Sequence, residues 1–269
     1  MKSIKYNLSI LSFILVFSVS ALAQNQIAVP LSNPDQPGKL KIGVVRGSIS
    51  VTGYDGKEVI IRYGNEEEDE TDREVTKNGL RRISNKGIGF EAREEDNEVE
   101  IGGVSPMRNT SFKISVPRNF SLELSTVNGG DIIVENVNGE MEIQNVNGEI
   151  TLTNVSGSAV ANTVNGNIKA YFNSVDPNKP MAFSNLNGDI DVSFPANAKL
   201  TAKMKSEWGE MYTDFDMDIN RQESGKIDAT SDSGTYQVSV NNWIYGKING
   251  GGPEYLFKSM RGDIYVRKK

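Results

Sequence analysis

The chain has 269 residues, no histidine, no cysteine and a formal net charge of −6 at pH 7. Without these two residue types, Ser-His-Asp and Cys-His catalysis, imidazole or thiolate metal sites, a disulfide framework and a lipid-modified cysteine anchor are all excluded. The acidic balance argues against nucleic acid and anionic lipid as partners, because both require a cationic face.

The first 23 residues predict a secretory signal peptide. Lys2 and Lys5 supply a positive start, an apolar run from Ile10 to Val19 follows, and Ala21-Leu22-Ala23 is a small-x-small cleavage site. The apolar run is too short to span a bilayer. We therefore expect export with cleavage and no membrane insertion of the mature protein. The Pro-, Asn- and Gln-rich residues 24–38 predict an exposed leader.

Residues 39–120 predict an N-terminal β section. The segments whose apolar and polar residues follow strand patterns are Leu40–Val44, Ser48–Val51, Val59–Ile61 and Phe112–Pro117. An acidic tip, Glu94-Glu95-Asp96, separates two further strand-like segments and indicates a hairpin. The acidic run Glu66–Glu70 predicts a loop.

Residues 121–269 are dominated by a short repeat with Asn-Gly at its corners, which predicts stacked copies of one small β unit. The copies are Thr126–Gly129, Asn136–Gly139, Asn145–Gly148, Asn154–Gly157, Thr163–Gly166 and Asn185–Gly188. Glycine and asparagine suit corners because both tolerate positive φ, which costs other residues about 1–2 kcal/mol.

Two architectures can use this repeat. In an antiparallel meander each Asn-Gly forms a hairpin turn, whereas in a parallel solenoid two repeats complete one coil. Val137, Val146, Val155 and Val164 break the alternation at one fixed place, as inward corner residues of a solenoid would. A meander would also place Asn145 on the core face beside Ile150. The sequence therefore favours an all-β solenoid of the β-helix or β-roll type.

The order of the motifs resembles the "putative adhesin" family of exported bacterial β-solenoid domains, which is similar to head-GIN-type adhesin domains. The segments that carry the resemblance are Ser115-Val116-Pro117, Leu122–Gly129, Asn187–Val192, Phe194-Pro195 and Met260–Val266. The resemblance implies a right-handed parallel solenoid, entered by a more irregular β section, with an adhesin-like role. It supplies no catalytic residues.

Three aspartates, Asp214, Asp216 and Asp218, have the spacing of the first EF-hand ligands. Ile219 and Gly225 stand where the calcium loop requires Gly and Glu, so the motif fails. We predict a strand instead, with the aspartates facing water and their apolar neighbours facing inward. The tripeptide Arg261-Gly262-Asp263 is interpreted as one more corner of the repeat.

Aromatic and acidic side chains admit a carbohydrate-related interpretation. The aromatic candidates for sugar stacking are Trp208, Trp243, Tyr245 and Tyr255. We favour their use as a cap over the terminal coil, because a stack of repeats must cover its ends. The outward acids of the repeat are Glu140, Glu142 and Glu149, which we interpret as the solubilising face of an exposed sheet.

These observations predict an exported, cofactor-free, non-catalytic binding or structural module, located in the periplasm, on the bacterial surface or outside the cell. The expected partner is a glycan or an envelope protein, and no catalytic, cofactor-binding or metal-ligating residue is assigned; the ligand-binding residues are not identified. One alternative is a carbohydrate-active β-helix enzyme, which needs an acid pair in a cleft. Another is an envelope-stress or signalling scaffold.

Overall fold

The computed structural model describes residues 26–64, 76–77, 80–81, 89–220, 227–232, 235–240 and 243–269. The predicted signal peptide, the acidic run Glu66–Glu70 and Gly225 lie outside these ranges. The described residues form strands, turns and bends and contain no helix, which confirms the all-β prediction. Accordingly, no helical segment in these ranges has the length and hydropathy needed to cross a bilayer.

The described residues form 24 strands. In chain order they are β1 (Gln26–Pro30), β2 (Gly38–Arg46), β3 (Ile49–Tyr54), β4 (Glu58–Gly64), β5 (Thr76–Lys77), β6 (Leu80–Arg81), β7 (Glu91–Glu95), β8 (Glu98–Gly102), β9 (Ser111–Pro117), β10 (Phe120–Asn128), β11 (Ile132–Glu135), β12 (Asn138–Asn147), β13 (Ile150–Asn165), β14 (Ile168–Val175), β15 (Met181–Asn187), β16 (Ile190–Phe194), β17 (Leu200–Ser206), β18 (Met211–Thr213), β19 (Met217–Ile219), β20 (Ile227–Asp232), β21 (Thr235–Val240), β22 (Ile244–Ile248), β23 (Glu254–Arg261) and β24 (Ile264–Lys268).

Twenty of these strands belong to one hydrogen-bonded sheet, within which two ladders can be followed. The first ladder runs β7–β8–β2–β10–β12–β13–β15–β23–β17–β22–β19. The second runs β1–β4–β9–β3–β11–β13–β14–β16–β24–β18. The long strand β13 serves both ladders, because its first half pairs in the second ladder and its second half in the first.

Pairing in the repeat region is parallel. Leu122 lies opposite Met141 in β10 and β12, and Ile132 lies opposite Ile150 in β11 and β13. This direction excludes the meander, in which consecutive strands would pair antiparallel. The sheet as a whole is mixed, however, because β1, β4, β7, β19 and β22 form antiparallel pairs toward the ends of the ladders.

The order of strands in space departs from the order in the chain at both ends. The segment β2–β3 lies between β8–β9 and β10–β11, so an early part of the chain is flanked by later ones. The segment β23–β24 lies between β15–β16 and β17–β18. Both terminal coils are therefore interior layers of the stack.

The core is one cluster of buried side chains from Leu31 to Val266. Inward positions of successive strands place aliphatic residues above one another, and aromatic rings fill the C-terminal part. The Phe183 and Phe257 rings stack at 5.5 Å, and those of Phe172 and Phe194 at 5.3 Å. Burial of each such side chain contributes about 1.5–3 kcal/mol. The N-terminal section and the repeat region thus share one core.

Several local predictions are confirmed by the strands. The third N-terminal strand appears as β4, and the acidic tip joins the antiparallel strands β7 and β8. Within the predicted exposed leader, Gln26–Pro30 forms β1 along the edge of β4 with most of its side chains exposed. A strand laid on this edge satisfies backbone groups that would otherwise be unpaired.

The four corner valines were predicted to face inward, but they do not share one environment. Val137 and Val155 are buried, but Val146 is only half-buried and Val164 is exposed. Each coil has two corners of different geometry, which the nine-residue spacing conceals. At the corners with buried valines, the preceding residue is Asn136 or Asn154 with φ of 59° or 55°, and this left-handed turn directs the valine inward.

Candidate binding surface

Val146 and Val164 mark the second corner of each coil, where the chain passes from the first ladder to the second. The stacked glycines of this corner are Gly47, Gly130, Gly148, Gly166, Gly188, Gly262 and Gly209. A Cβ atom on Gly148 would lie 2.3 Å from the Gly130 carbonyl oxygen, and one on Gly262 would lie 1.9 Å from that of Gly188. Gly148 has the predicted positive φ, at 159°, and the close approach of backbone to backbone also requires glycine there.

A column of polar side chains, buried except for the half-buried Ser206, supports these corners from inside. Their donor atoms reach glycine carbonyls of the corners: Thr126 to Gly47 (3.0 Å), Asn145 to Gly130 (2.9 Å), Thr163 to Gly148 (3.1 Å), Asn185 to Gly166 (3.3 Å) and Ser206 to Gly262 (2.9 Å). Asn145 therefore does occupy the core side in the parallel arrangement. Its amide satisfies a turn carbonyl that would otherwise be buried without a donor.

Outside, the residue before the corner glycine is an asparagine in three successive coils, and Asn128 occupies the equivalent register position in the coil before them. Asn165 Nδ2 donates to Asn147 Oδ1 at 2.8 Å, and Asn187 Nδ2 donates to Asn165 Oδ1 at 2.7 Å. Asn147 reaches Asn128 Oδ1 at 3.3 Å. This side-chain ladder runs along the stack and gives the repeated asparagines a structural explanation.

The last two corners depart from this pattern. Arg261 lies opposite Asn187 in the register of β15 and β23, and Trp208 precedes the glycine that stacks on Gly262. The outward position three residues after each glycine is also aromatic here, because Tyr265 and Tyr212 occupy it. We call Trp208, Tyr212, Arg261, Tyr265 and Arg267 the aromatic corner.

The aromatic corner is exposed and ordered by its own contacts. The rings of Tyr212 and Tyr265 stack at 5.1 Å with an interplanar angle of 12°. The Arg261 guanidinium lies 5.6 Å from the Trp208 ring, and that of Arg267 lies 4.8 Å from the Tyr265 ring. Trp208 is 75% exposed and Tyr212 is 50% exposed, so their faces are available to a ligand.

Hydrogen bonds fix the polar atoms around these rings. Tyr265 Oη donates to Asp263 Oδ2 at 3.0 Å, and this bond to a carboxylate raises the pKa of Tyr265. Arg267 forms an ion pair with Asp191 at 2.7 Å, which raises the pKa of Arg267. The surface thus combines stacked phenol rings with guanidinium and carboxylate groups that are held by defined contacts.

The other predicted aromatic residues have different surroundings. Tyr255 is fully buried in the core, and burial raises its pKa to about 12. Trp243 and Tyr245 lie beside the Lys203 ammonium, at 5.2 and 5.7 Å from their ring centroids. Trp208 does not cover the core as the favoured capping interpretation requires, because three quarters of its surface faces solvent.

The predicted outward acids are divided among ion pairs and a groove. Glu140 pairs with Lys179, and Glu149 pairs with Lys169 at 2.9 Å. Burial alone would raise the pKa of Glu149, but hydrogen bonds from Lys169, Thr151 and Asn167 hold it below its usual value.

Glu142 lines a shallow groove of about 260 Å³ on the first ladder, together with Glu100, Glu123 and Lys41. A hydrogen bond from Lys39 lowers the pKa of Glu123. This direction is opposite to that of a general acid, whose pKa is raised.

The aspartate motif is divided between strands. Asp214 accepts a hydrogen bond from the Lys268 amide at 2.6 Å, and Asp216 and Asp218 are exposed. Phe215 is buried as predicted, whereas Ile219 is 46% exposed, so the predicted alternation holds only in part. Within the described ranges no cluster of at least three His, Cys, Asp or Glu residues could hold a metal ion.

The corner interpretation of Arg261-Gly262-Asp263 is confirmed by the register, in which Ile264 lies opposite Ile190. Sequence reasoning missed the equivalent corner at Trp208-Gly209-Glu210-Met211. The signal was present, because glycine, an acidic residue and an apolar residue follow one another there as in Gly188-Asp189-Ile190. The tryptophan in place of asparagine concealed it.

Comparison with known proteins gives a family match and likenesses to solved structures. Residues 118–243 match the family described as Toastrack DUF4097. The chain is similar to a solved structure from Clostridium sporogenes ATCC 15579, described as "a putative cell adhesion protein", with a TM-score of 0.40 and 13% identity over 91% of this chain and 99% of that one. It is also similar to "a putative adhesin" from Bacteroides fragilis NCTC 9343, with a TM-score of 0.32 and 12% identity over 92% and 98% of the two chains. No curated protein matches the sequence.

Proposed function

We propose, from the match of residues 118–243 to the Toastrack DUF4097 family, that the protein is an exported, non-catalytic, adhesin-like binding module whose ligand is a glycan of the cell envelope or surface. The signal-peptide pattern of the first 23 residues supports export. The periplasm or the bacterial surface is the corresponding location.

The proposed architecture is a right-handed parallel solenoid in its repeat region. The parallel pairing of β10, β12, β13 and β15, with 18 to 22 residues between equivalent asparagines, supports two-sided coils. Such coils stack about 4.8 Å apart and make a rigid support. A rigid support lowers the entropic cost of presenting a binding surface.

The single observation that carries the proposal is the aromatic corner. At the second corners from Gly130 to Gly188 the outward residues of the ladder are asparagines, whereas Trp208 and Tyr212 expose large rings to water. Exposed aromatic faces complement the C–H faces of sugar rings, because burial of both removes apolar surface from water. The ion-paired Asp191 and Arg267 lie close enough to the rings to bind sugar hydroxyl groups.

The same geometry favours binding over hydrolysis. A glycosidase requires one carboxyl group that stays protonated and a second that stays ionised. Asp191 forms an ion pair and Asp263 accepts the Tyr265 hydroxyl, so both have partners suited to a carboxylate. In the groove of the first ladder, the pKa of Glu123 is lowered.

The test is a glycan array followed by calorimetry with the mature chain from Gln24. We expect saturable binding to one glycan class, weakened about tenfold by Trp208→Ala or Tyr212→Ala, the loss typical of an interface hot spot. Ile133→Ala is the matched control, because Ile133 occupies an exposed outward position on the same ladder far from the aromatic corner. A triple variant, Glu140, Glu142 and Glu149 each to Gln, tests the acidic faces.

Two results would overturn this assignment. The first is the absence of binding to any glycan or envelope fraction. The second is binding that both aromatic variants leave unchanged while the triple glutamine variant abolishes it, which would place the ligand on the acidic faces.

A further inference from the structure

One Asn-Gly corner differs chemically from the others. The first corner of the repeat contains an additional residue, so Gly129 precedes the stacked Gly130. A Cβ atom built on Gly129 would meet nothing within 4 Å, and its φ is 73°. Gly148, Gly166 and Gly188 instead lie against the backbone of the preceding coil.

The hydrogen bonds of the glycine backbone amides distinguish the same corner from the others. The backbone amides of Gly148, Gly166 and Gly188 donate to carbonyl groups of the next coil, each at 2.9 Å. Among the residues that the structure describes, the Gly129 amide has no hydrogen-bond acceptor. Asn128 and Gly129 are both exposed.

The asparagine side chains also differ. Asn147, Asn165 and Asn187 donate their amide groups along the ladder, which holds each carboxamide away from the following backbone nitrogen. Asn128 takes part only as the acceptor of a long bond of 3.3 Å from Asn147. Its carboxamide is therefore the least restrained in the column.

We propose that Asn128 is a site of selective spontaneous deamidation. The Gly129 nitrogen attacks Cγ of Asn128, the Cγ–Nδ2 bond breaks, and ammonia leaves with the proton lost by the Gly129 amide. Solvent water then opens the resulting succinimide to aspartate or isoaspartate. The reaction needs a free backbone N–H and a mobile carboxamide, and in the ladder this corner supplies both.

The product is compatible with the corner. A carboxylate at position 128 still accepts the bond from Asn147, and Arg46 lies opposite it in β2. The additional backbone atom of isoaspartate falls in a turn that already contains an inserted residue. The modification thus adds negative charge to the exposed corner without displacing the stacked Gly130.

The experiment is peptide mapping by mass spectrometry after incubation of the folded mature chain at mildly alkaline pH in ¹⁸O-labelled water. We expect conversion at Asn128 at least about tenfold faster than at Asn147, Asn165 or Asn187, because the bonded corners must first open locally. In urea the four sites should convert at similar rates, because each is followed by glycine.

Deletion of Gly129 restores the spacing of the other corners and should slow conversion of Asn128 to their rate. Equal rates at the four sites in the folded chain would overturn the proposal. So would the same preference for Asn128 in urea, because selectivity would then come from local sequence. The urea comparison remains decisive even if the deletion variant fails to fold.

Discussion

At the scale of single residues, the second corners show how tightly the stack constrains its turns. Because the backbone of each glycine approaches the preceding coil, a side chain has no room there. Gly148→Val should destabilise the protein by about 1–3 kcal/mol or more, since its Cβ would lie 2.3 Å from the Gly130 oxygen. Urea unfolding measures this loss.

Thr151→Ser is the control for Gly148→Val, because Thr151 faces outward from the same coil and its hydroxyl donates a hydrogen bond to Glu149. A serine keeps that hydroxyl, so the free energy of unfolding should change little. Equal losses in the two variants would contradict the close-approach explanation.

The buried polar column gives a second prediction at this scale. Asn145 donates to the Gly130 carbonyl, but its own Oδ1 is buried without a partner in the described structure. Asn145→Thr matches Thr126 and Thr163 in the neighbouring coils, so it should keep the donor, remove the unpaired acceptor and leave stability unchanged or improved.

Asn145→Val has nearly the shape of the threonine variant but no donor. It should lose about 1–3 kcal/mol in urea unfolding, because the Gly130 carbonyl is left unpaired. A valine variant as stable as the threonine variant would show that the column does not contribute through hydrogen bonding.

At the scale of elements, the insertion of the terminal coils between other coils makes them essential for the stability of the fold. The segment β23–β24 lies between two other coils and buries Tyr255, Phe257, Ile264 and Val266 completely. Deletion of residues 254–269 should therefore unfold the whole protein and not merely fray one end. The free energy contributed by burial of these side chains is comparable with the stability of a typical domain, about 5–15 kcal/mol. Circular dichroism and urea unfolding of the truncated chain would show it.

Deletion of residues 24–30 is the matched control. It removes the edge strand β1, whose side chains are mostly exposed, and should lower stability only slightly. A C-terminally truncated chain that keeps a native spectrum and a cooperative transition would contradict the role assigned to β23–β24.

The same elements explain what the sequence can and cannot predict. Strand positions and Asn-Gly corners follow from alternation and from the properties of glycine, which are local. The pairing of β2 with β10 joins segments far apart in the chain, and no periodicity encodes it. The exposed Val164 was mispredicted because nine-residue copies alternate between two kinds of corner.

The candidate site was also only partly predictable. Trp208 was identified as an aromatic residue of interest, but its environment depends on which coil lies last in the ladder. Tyr212 and Tyr265 lie far apart in the chain and come together only because β18 pairs with β24. Alignment of the corner at Gly209 with that at Gly262 would have placed both tyrosines on one column.

At the scale of the whole molecule, the question is whether the stack unfolds as one unit. Linear stacks of repeats can lose cooperativity because each layer contacts only its neighbours. Here the core is continuous from Leu31 to Val266, and the segments β2–β3 and β23–β24 are inserted as interior layers. Partial unfolding of either end would therefore expose the faces of two coils rather than one. We expect a single cooperative transition.

The chain offers probes at opposite ends for this test. Both tryptophans, Trp208 and Trp243, lie near the C-terminal end of the stack, so their fluorescence reports that end. A second probe can be placed at Phe90, which packs against Tyr63 and Phe112 at 4.7 and 5.4 Å. Phe90→Trp in a chain with both native tryptophans changed to Phe would report the N-terminal section.

The two fluorescence signals and far-ultraviolet circular dichroism should give the same urea midpoint. An earlier midpoint for the Phe90 probe would show that the N-terminal section unfolds by itself, and insertion of β2–β3 would then not couple the two ends.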